Sequence, residues 1–174
     1  MTRSRVCTSG SAVRVAPDSV TPVHILLATD ADWIVDEVTA ALGGPDTTFT
    51  VCRDGRVVSK VVAERCPDLA VLDLQVGSMG GMATAMALRL DESGGLLPHV
   101  KILMLLDRVA DVYLAQRSGA DGWIIKPLDA LRLKRAALAI ANGEPYQEGV
   151  PKPEAAPLPD EVEPTPEEEP TPAG

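Results

Sequence analysis

Aromatic residues are scarce in this sequence, at 3% of 174 residues, so its hydrophobic core must be built from aliphatic side chains. Cysteine is scarce too: Cys7, Cys52 and Cys66 are odd in number and scattered, which argues against a disulfide framework or a zinc site. The longest run of large apolar residues, 102–106, is far shorter than the roughly 20 residues of a transmembrane helix. No apolar stretch follows the arginines near the N-terminus, so no secretory signal is predicted. We therefore expect a cytoplasmic protein without a membrane span.

Positive charge is also in short supply, because 16 Lys and Arg stand against 25 Asp and Glu, a formal net charge of −9. No dense basic surface is predicted, and we expect no direct binding of nucleic acid. The C-terminal residues are rich in Pro and Glu, and they have too few apolar side chains to offset the entropy of ordering. We therefore expect a flexible segment at 1–22, a folded domain at 23–143 and a disordered acidic tail at 144–174.

Between these ends, short apolar runs alternate with helical patterns five times. The apolar runs predict strands at 23–28, 48–52, 69–72, 100–106 and 122–125. Helical spacing predicts helices at about 33–42, 57–65, 82–90, 110–117 and 128–141, most of them closed by Gly or Pro. This alternation is typical of an α/β fold in which helices cover both faces of a parallel sheet. In such folds the functional residues lie at the carboxyl ends of the strands.

Polar residues follow four of the five predicted strands. Thr29 and Asp30 follow the first, Asp73 follows the third, Asp107 follows the fourth and Lys126 follows the fifth. Two carboxylates and a lysine at one sheet edge can hold a divalent cation and an anionic group, and Mg²⁺ prefers such oxygen ligands. An aspartate can attack a phosphoryl group once a cation neutralises the incoming charge, and a lysine can pair with the phosphoryl oxygen.

The order and spacing of four segments resemble a response-regulator receiver domain. These segments are 25–30, 67–74, the glycine eight residues after Asp73, and 118–127, and the resemblance covers about residues 23–143. It implies a flavodoxin-like (βα)5 three-layer sandwich with a parallel sheet of order 2-1-3-4-5. By position, Asp73 resembles the phospho-acceptor and Lys126 resembles the lysine that pairs with the phosphate. Asp30 and Asp73 resemble the direct Mg²⁺ ligands, with the backbone carbonyl of Gln75 as a third, and the Lys126–Pro127 bond is expected to be cis.

The sequence departs from the family pattern at two positions. Thr29 replaces the first acid of the usual acidic pair, so weakened Mg²⁺ binding is expected, by about one to a few kcal/mol. Leu106 replaces the Ser or Thr that ends the fourth strand, and its side chain cannot form a hydrogen bond to a phosphoryl oxygen. In the family that hydroxyl links phosphorylation to movement of an aromatic residue on the fifth strand, here Trp123. Phosphorylation of Asp73, the position that resembles the phospho-acceptor, is therefore not expected to operate the usual switch.

The leading hypothesis is a stand-alone, atypical response regulator in two-component signalling, not an enzyme. In one version of it, a histidine kinase phosphorylates Asp73. We expect its output to be a protein–protein contact, because only the Pro- and Glu-rich segment follows Gly143. The alternative within the family is a pseudo-receiver that binds its partner independently of phosphate. The expected docking face comprises the fourth helix, fifth strand and fifth helix, with candidate residues Val112, Gln116, Trp123, Leu128 and Arg132.

An alternative of another class is a small-molecule or nucleotide-binding enzyme on the same sheet architecture. No GxGxxG follows the first strand, no GxxxxGK[ST] is present, and no Ser/His/Asp arrangement reaches the strand ends. The sequence therefore disfavours this enzyme hypothesis.

Overall fold

A parallel sheet forms the centre of the fold, and the computed structural model describes residues 23–150 of the chain. Its strands are β1 (Val23–Ala28), β2 (Thr47–Cys52), β3 (Leu69–Asp73), β4 (Ile102–Leu106), β5 (Gly122–Ile125) and β6 (Tyr146–Gln147). The strand order is β2-β1-β3-β4-β5-β6, and every neighbouring pair is parallel. The first five strands have the predicted order, which confirms the flavodoxin-like α/β fold.

Within residues 23–150, five α-helices connect the strands and cover both faces of the sheet. They are α1 (Asp32–Leu42), α2 (Val58–Glu64), α3 (Gly81–Ser93), α4 (Val112–Ser118) and α5 (Ala130–Ala141). At the start of α5, the Asp129 side chain accepts hydrogen bonds from the backbone N–H groups of Leu131 and Arg132. At the end of α4, Gly119 adopts a φ of +74°, which a glycine tolerates without strain. None of the helices within residues 23–150 is both long and apolar enough to cross a membrane.

The sheet separates two hydrophobic cores, because successive side chains of a strand point to opposite faces. Met104, Leu106 and Trp123 lie in the core beneath α2, α3 and α4. Leu105 and Ile124 lie in the core beneath α1 and α5. Both faces are thus covered, which explains why β3 and β4 are buried along their whole length and appear in the sequence as unbroken apolar runs.

The C-terminal boundary of the domain differs from the predicted one at residue 143. Residues 144–150 were expected to belong to a disordered tail, yet Tyr146 and Gln147 form β6 beside β5, and Val150 packs against a core cluster. Composition misled the prediction here, since a few specific contacts can order a segment whose average hydropathy is low. Residues 1–22 and 151–174, for which flexibility and disorder are predicted, lie outside the described residues.

Candidate functional site

The carboxyl ends of β1, β3, β4 and β5 bring the candidate residues to one edge of the sheet. Asp73 is the last residue of β3, and the pairing of Asp73 with Leu105 aligns this end with the end of β4. Lys126 directly follows β5, and its backbone N–H donates to the carbonyl of Leu106. The Lys126–Pro127 peptide bond is cis, as the sequence predicts. The register of the parallel strands therefore places the side chains of Asp73 and Lys126 at the same edge.

The central contact of the site joins Lys126 to Asp73. Lys126 Nζ donates to Asp73 Oδ1 at 2.8 Å, and the Asp73 residue is only 1% exposed. Burial lowers the pKa of the Lys126 ammonium, but its hydrogen bonds to Asp73 and Asp107 outweigh that effect, and the net pKa is raised above the ordinary value. The lysine is thus held protonated beside a buried carboxylate.

Thr29 occupies the position at which the sequence resemblance expects an acid, and it makes a hydrogen bond within the site. Thr29 Oγ1 donates to Asp73 Oδ2 at 2.9 Å and accepts from the backbone N–H of Ala31 at 3.2 Å. The backbone N–H of Gln75 donates to Asp73 Oδ1 at 3.2 Å. Together with Lys126, these donors use three of the about four lone pairs of the carboxylate. Oδ2 therefore accepts one hydrogen bond from the described residues, whereas Oδ1 accepts two.

Asp30 follows β1 and Gln75 follows β3, so both lie at the edge of the sheet that carries Asp73. Asp30 is exposed at the end of β1, and its side chain forms no ion pair or hydrogen bond with residues 23–150. A Cβ on Gly77 would lie 3.4 Å from Asp30 Oδ2, so the loop after β3 passes close to this carboxylate. Within the described part of the chain, no three His, Cys, Asp or Glu side chains form a metal-binding cluster. Any cation here would depend on two carboxylates and a backbone carbonyl, all of them hard oxygen donors.

Asp107 is a member of the site to which the sequence assigned no role. Lys126 Nζ donates to Asp107 Oδ1 at 3.0 Å, while Asp107 Oδ2 is buried and has no hydrogen-bond partner among the described residues. Two carboxylates therefore share one ammonium. The available signal was its place directly after the fourth predicted strand, but the resemblance gave that position no function.

Leu106 and Trp123, the two switch positions, lie in the core rather than in the site. Leu106 is fully buried and Trp123 is 1% exposed, and both belong to the core beneath α4. The Trp123 ring is fixed by a hydrogen bond from its Nε1 to the carbonyl of Glu148 at 2.8 Å. Consequently no hydroxyl at the end of β4 connects the site to this aromatic ring.

A second tryptophan, Trp33, lies beside Lys126. Its ring centroid lies 5.7 Å from Lys126 Nζ, within the range of a cation–π contact, and the residue is 50% exposed. The two tryptophans of the chain thus sit in different places, one against the lysine and one in the core. Trp33 fluorescence can therefore report on the site, and Trp123 fluorescence on the core beneath α4.

Comparison with known proteins identifies the family of this chain. A family model described as the response regulator receiver domain matches residues 25–138. An uncharacterised response regulatory protein of Mycobacterium tuberculosis is 33% identical over 130 residues, which cover 71% of this chain and 95% of that protein. The DNA-binding response regulator MtrA of Mycobacterium leprae is 34% identical over 125 residues. This match covers 70% of the present chain and 54% of MtrA, so the chain spans about half the length of that relative.

Solved structures show the same fold. The signal receiver domain of the response regulator NarL from Mycobacterium tuberculosis is 27% identical, with a TM-score of 0.60 and coverage of 70% of this chain and 98% of that one. A chemotaxis response regulator of Vibrio cholerae is 21% identical, with a TM-score of 0.60 and coverage of 69% and 99%. At that lower identity the second likeness concerns the fold alone.

Proposed function

The chain belongs to the family of response regulator receiver domains, which act in two-component signalling, and on this premise we propose that Asp73 accepts a phosphoryl group from a histidine kinase. The observation that carries the proposal is the 2.8 Å contact between Lys126 Nζ and the buried carboxylate of Asp73. An ammonium group next to the acceptor supplies positive charge where a phosphoryl group would bring negative charge. Members of this family are generally signalling modules rather than enzymes.

The transfer itself requires little chemistry from the protein beyond positioning. A carboxylate oxygen of Asp73 forms a bond to phosphorus while the bond from phosphorus to the donor histidine nitrogen breaks, and the imidazole leaves as a neutral ring if its second nitrogen carries a proton. Thr29 Oγ1 and the Gln75 N–H keep the carboxylate oriented during this step. The Lys126 ammonium pairs with an oxygen of the transferred group.

Receiver domains generally bind Mg²⁺ at the phosphorylation site, and the donor set of this chain fits that ion. The carboxylates of Asp30 and Asp73 and the backbone carbonyl of Gln75 would hold it. When bound, the ion supplies positive charge that lowers the repulsion between the carboxylate and the phosphoryl group. Because Thr29 offers a hydroxyl instead of a third carboxylate, the proposal includes an Mg²⁺ affinity lower than that of a complete acidic pair.

Leu106 supports a second candidate function, a pseudo-receiver whose surface binds a partner regardless of phosphate. A leucine cannot form a hydrogen bond to a phosphoryl oxygen, so phosphorylation has no hydroxyl through which to move Trp123. Phosphorylation at Asp73 would then leave Trp123 and the core beneath α4 unchanged. Under both candidates we propose that a protein partner in the cytoplasm docks on the face formed by α4, β5 and α5.

The first test measures the mass of the intact protein after incubation with Mg²⁺ and acetyl phosphate. Wild type should gain one phosphoryl group, whereas Asp73→Asn should gain none. Asp46→Asn is the matched control, because Asp46 is exposed and precedes β2, at the opposite edge of the sheet. Absence of the mass gain with acetyl phosphate and with phosphorylated histidine kinases would contradict phosphorylation and leave the pseudo-receiver.

Tryptophan emission in the same samples distinguishes chemistry from switching. The variant Trp33→Phe retains Trp123 as the only tryptophan. A phosphorylated Trp33→Phe protein with unchanged emission supports a site that is uncoupled at Leu106. A clear emission change upon phosphorylation would contradict that uncoupling and support a working switch.

A further inference from the structure

Residues 144–150, called the strap here, return from the end of α5 across the face formed by α4, β5 and α5. Tyr146 and Gln147 pair in parallel with Gly122 and Trp123, so the strap occupies the edge of β5. This edge would otherwise present unpaired backbone groups to solvent. The strap therefore covers part of the face proposed above for partner docking.

The backbone of β5 has a glycine at the point where the strap comes closest. A Cβ on Gly122 would lie 2.6 Å from the carbonyl oxygen and 3.2 Å from the nitrogen of Tyr146. A side chain at this position would thus push the strap away. The absence of a Cβ is what permits parallel pairing at this edge.

Glu148 anchors the strap through both side-chain oxygens and its backbone carbonyl. Its Oε2 accepts from the backbone N–H of Ile125 at 3.0 Å and from Arg132 Nη2, and its Oε1 accepts from Arg132 Nε at 2.9 Å. Its backbone carbonyl accepts from Trp123 Nε1 at 2.8 Å. Tyr146 adds a hydrogen bond from its hydroxyl to Oε1 at 3.2 Å. A two-pronged guanidinium–carboxylate contact is both stronger and more selective in geometry than a neutral hydrogen bond.

Beyond Glu148, the strap crosses from the sheet edge to the start of α4. Gly149 has a φ of +72°, and a Cβ there would lie 2.9 Å from Ile125 Cδ1 and 3.4 Å from Val112 Cγ2. Val150 then packs against the core cluster that contains Trp123. The slot accepts a residue without a side chain after the glutamate, followed by an apolar one.

From these contacts we infer that the edge of β5, together with Arg132, is a binding site for an extended, glutamate-bearing peptide, which the chain fills with its own strap. The edge of β5 would bind an extended backbone, and Arg132 and the Ile125 N–H would bind a carboxylate. The space that follows would accept a glycine. A partner protein with a segment of this chemistry would bind by strand addition in place of the strap. The inference needs no phosphoryl group and is therefore independent of the proposed chemistry at Asp73.

Tethering determines when such a partner can bind. A segment joined to its site by a few residues acts at an effective concentration of about millimolar, so a free peptide competes poorly with it. Weakening the contact between Glu148 and Arg132 should release the strap while the site itself stays intact. Because a partner must displace the strap, the face should be selective for partners whose segment carries the same extended backbone, glutamate and following glycine.

The test uses the full chain and a labelled peptide with the sequence of residues 144–150. Glu148→Gln removes the charge of the anchor but retains its shape, and Glu144→Gln makes the same change at an exposed glutamate of the same segment. Because a charge-assisted bond is about twice as strong as a neutral one, we expect the peptide to bind Glu148→Gln roughly tenfold more tightly than wild type or Glu144→Gln. A peptide with Gln in place of its second Glu should lose this binding.

Hydrogen exchange at the Ile125 amide supplies a second readout, because the Glu148 carboxylate accepts this hydrogen bond. Exchange should be faster in Glu148→Gln and in Arg132→Gln than in wild type, yet only Glu148→Gln should bind the peptide more tightly than wild type does. Equal exchange and equal peptide binding in wild type and both variants would overturn the inference. Faster exchange without peptide binding in Glu148→Gln would also overturn it, since the strap would then be packed chain and not the occupant of a peptide site.

Discussion

Asp107 competes with Asp73 for the Lys126 ammonium, and Asp107→Asn should therefore speed phosphorylation of Asp73. Lys126 Nζ lies 2.8 Å from Asp73 Oδ1 and 3.0 Å from Asp107 Oδ1. In wild type, the lysine must offset two carboxylates before a phosphoryl group adds more negative charge. The substitution removes one of these charges and leaves a side chain of the same size.

The size of the effect follows from the distances. The two carboxylates are no more than about 6 Å apart, and a unit charge at that distance costs a second one about 3 kcal/mol at an effective dielectric constant near 20. The Asp107 side chain is 34% exposed, so solvent screening reduces this figure to about half. About 1.4 kcal/mol in the activation free energy corresponds to a tenfold faster reaction.

The assay follows the mass of the intact protein over time with Mg²⁺ and acetyl phosphate at fixed concentrations. Asp107→Asn should be phosphorylated roughly tenfold faster than wild type, because about 1.4 kcal/mol of repulsion is removed. Asp46→Asn makes the same change in net charge at the opposite edge of the sheet and should react at the wild-type rate. This comparison separates the local effect from that of total charge.

A slower reaction of Asp107→Asn, accompanied by weaker Mg²⁺ binding, would refute this reasoning and identify Asp107 as a ligand of the cation. The strand order argues against that role. Asp30 follows β1 and Asp107 follows β4, with β3 between them, which separates their backbones by about 10 Å. An unchanged rate would refute the competition for Lys126.

Three further predictions concern the switch position, the anchor of the strap and the lysine. Leu106→Thr and Leu106→Val should each destabilise the domain by about 1–4 kcal/mol in urea unfolding. Only the Thr variant should show a change in Trp123 emission upon phosphorylation. The same emission change in the Val variant would contradict a role for the hydroxyl. Burial raises the pKa of Glu148, but hydrogen bonds from Arg132 and Ile125 lower it by more than burial raises it. The net pKa of Glu148 therefore lies below the ordinary value. Its stabilisation is present above the unfolded pKa of about 4.3 and is lost as pH falls through the folded value, so the difference of about 1–2 kcal/mol between wild type and Glu148→Gln should vanish in acid. The raised pKa of Lys126 has the opposite sign: Lys126→Met should cost about 2–3 kcal/mol at neutral pH, and this difference should shrink as pH rises above about 10.4 through the folded value. Differences that do not vary with pH would refute both electrostatic assignments.

Much of the site was accessible from the order of residues along the chain. Asp73 and Lys126 each directly follow a predicted strand, and parallel strands bring such ends together irrespective of the distance between them in sequence. The same logic places Thr29 and Asp30 at this edge. Their functional roles in metal binding and phosphorylation stay predictions, with the tests given above.

Asp107 shows why the membership of the site was predicted better than its hydrogen bonds. The sequence shows that Asp107 follows the fourth strand. Whether its carboxylate reaches Lys126 depends on the side-chain conformation, which moves the carboxylate by a few ångströms. The same holds for Thr29, whose hydroxyl donates to Asp73 instead of merely replacing a ligand. Such contacts depend on rotamers and on the local path of the loops, which hydrophobic periodicity does not encode.

The strap is the largest difference between expectation and structure. Its composition resembles the Pro- and Glu-rich residues that follow it, and only two of its residues form a strand. Its order comes from partners distant in sequence: Gly122, which permits the close approach, and Arg132, which pairs with Glu148. Neither residue is recognisable as part of this contact until β5 and α5 are placed side by side.

The alternation of apolar runs and amphipathic helices was sufficient for the fold and for the edge that carries the site, because burial on both faces of a parallel sheet imposes that pattern locally along the chain. The tertiary structure alone decided which charges share Lys126, and that the strap covers the face formed by α4, β5 and α5. These features depend on the packing of distant elements to within an ångström, where hydrogen bonds form or fail.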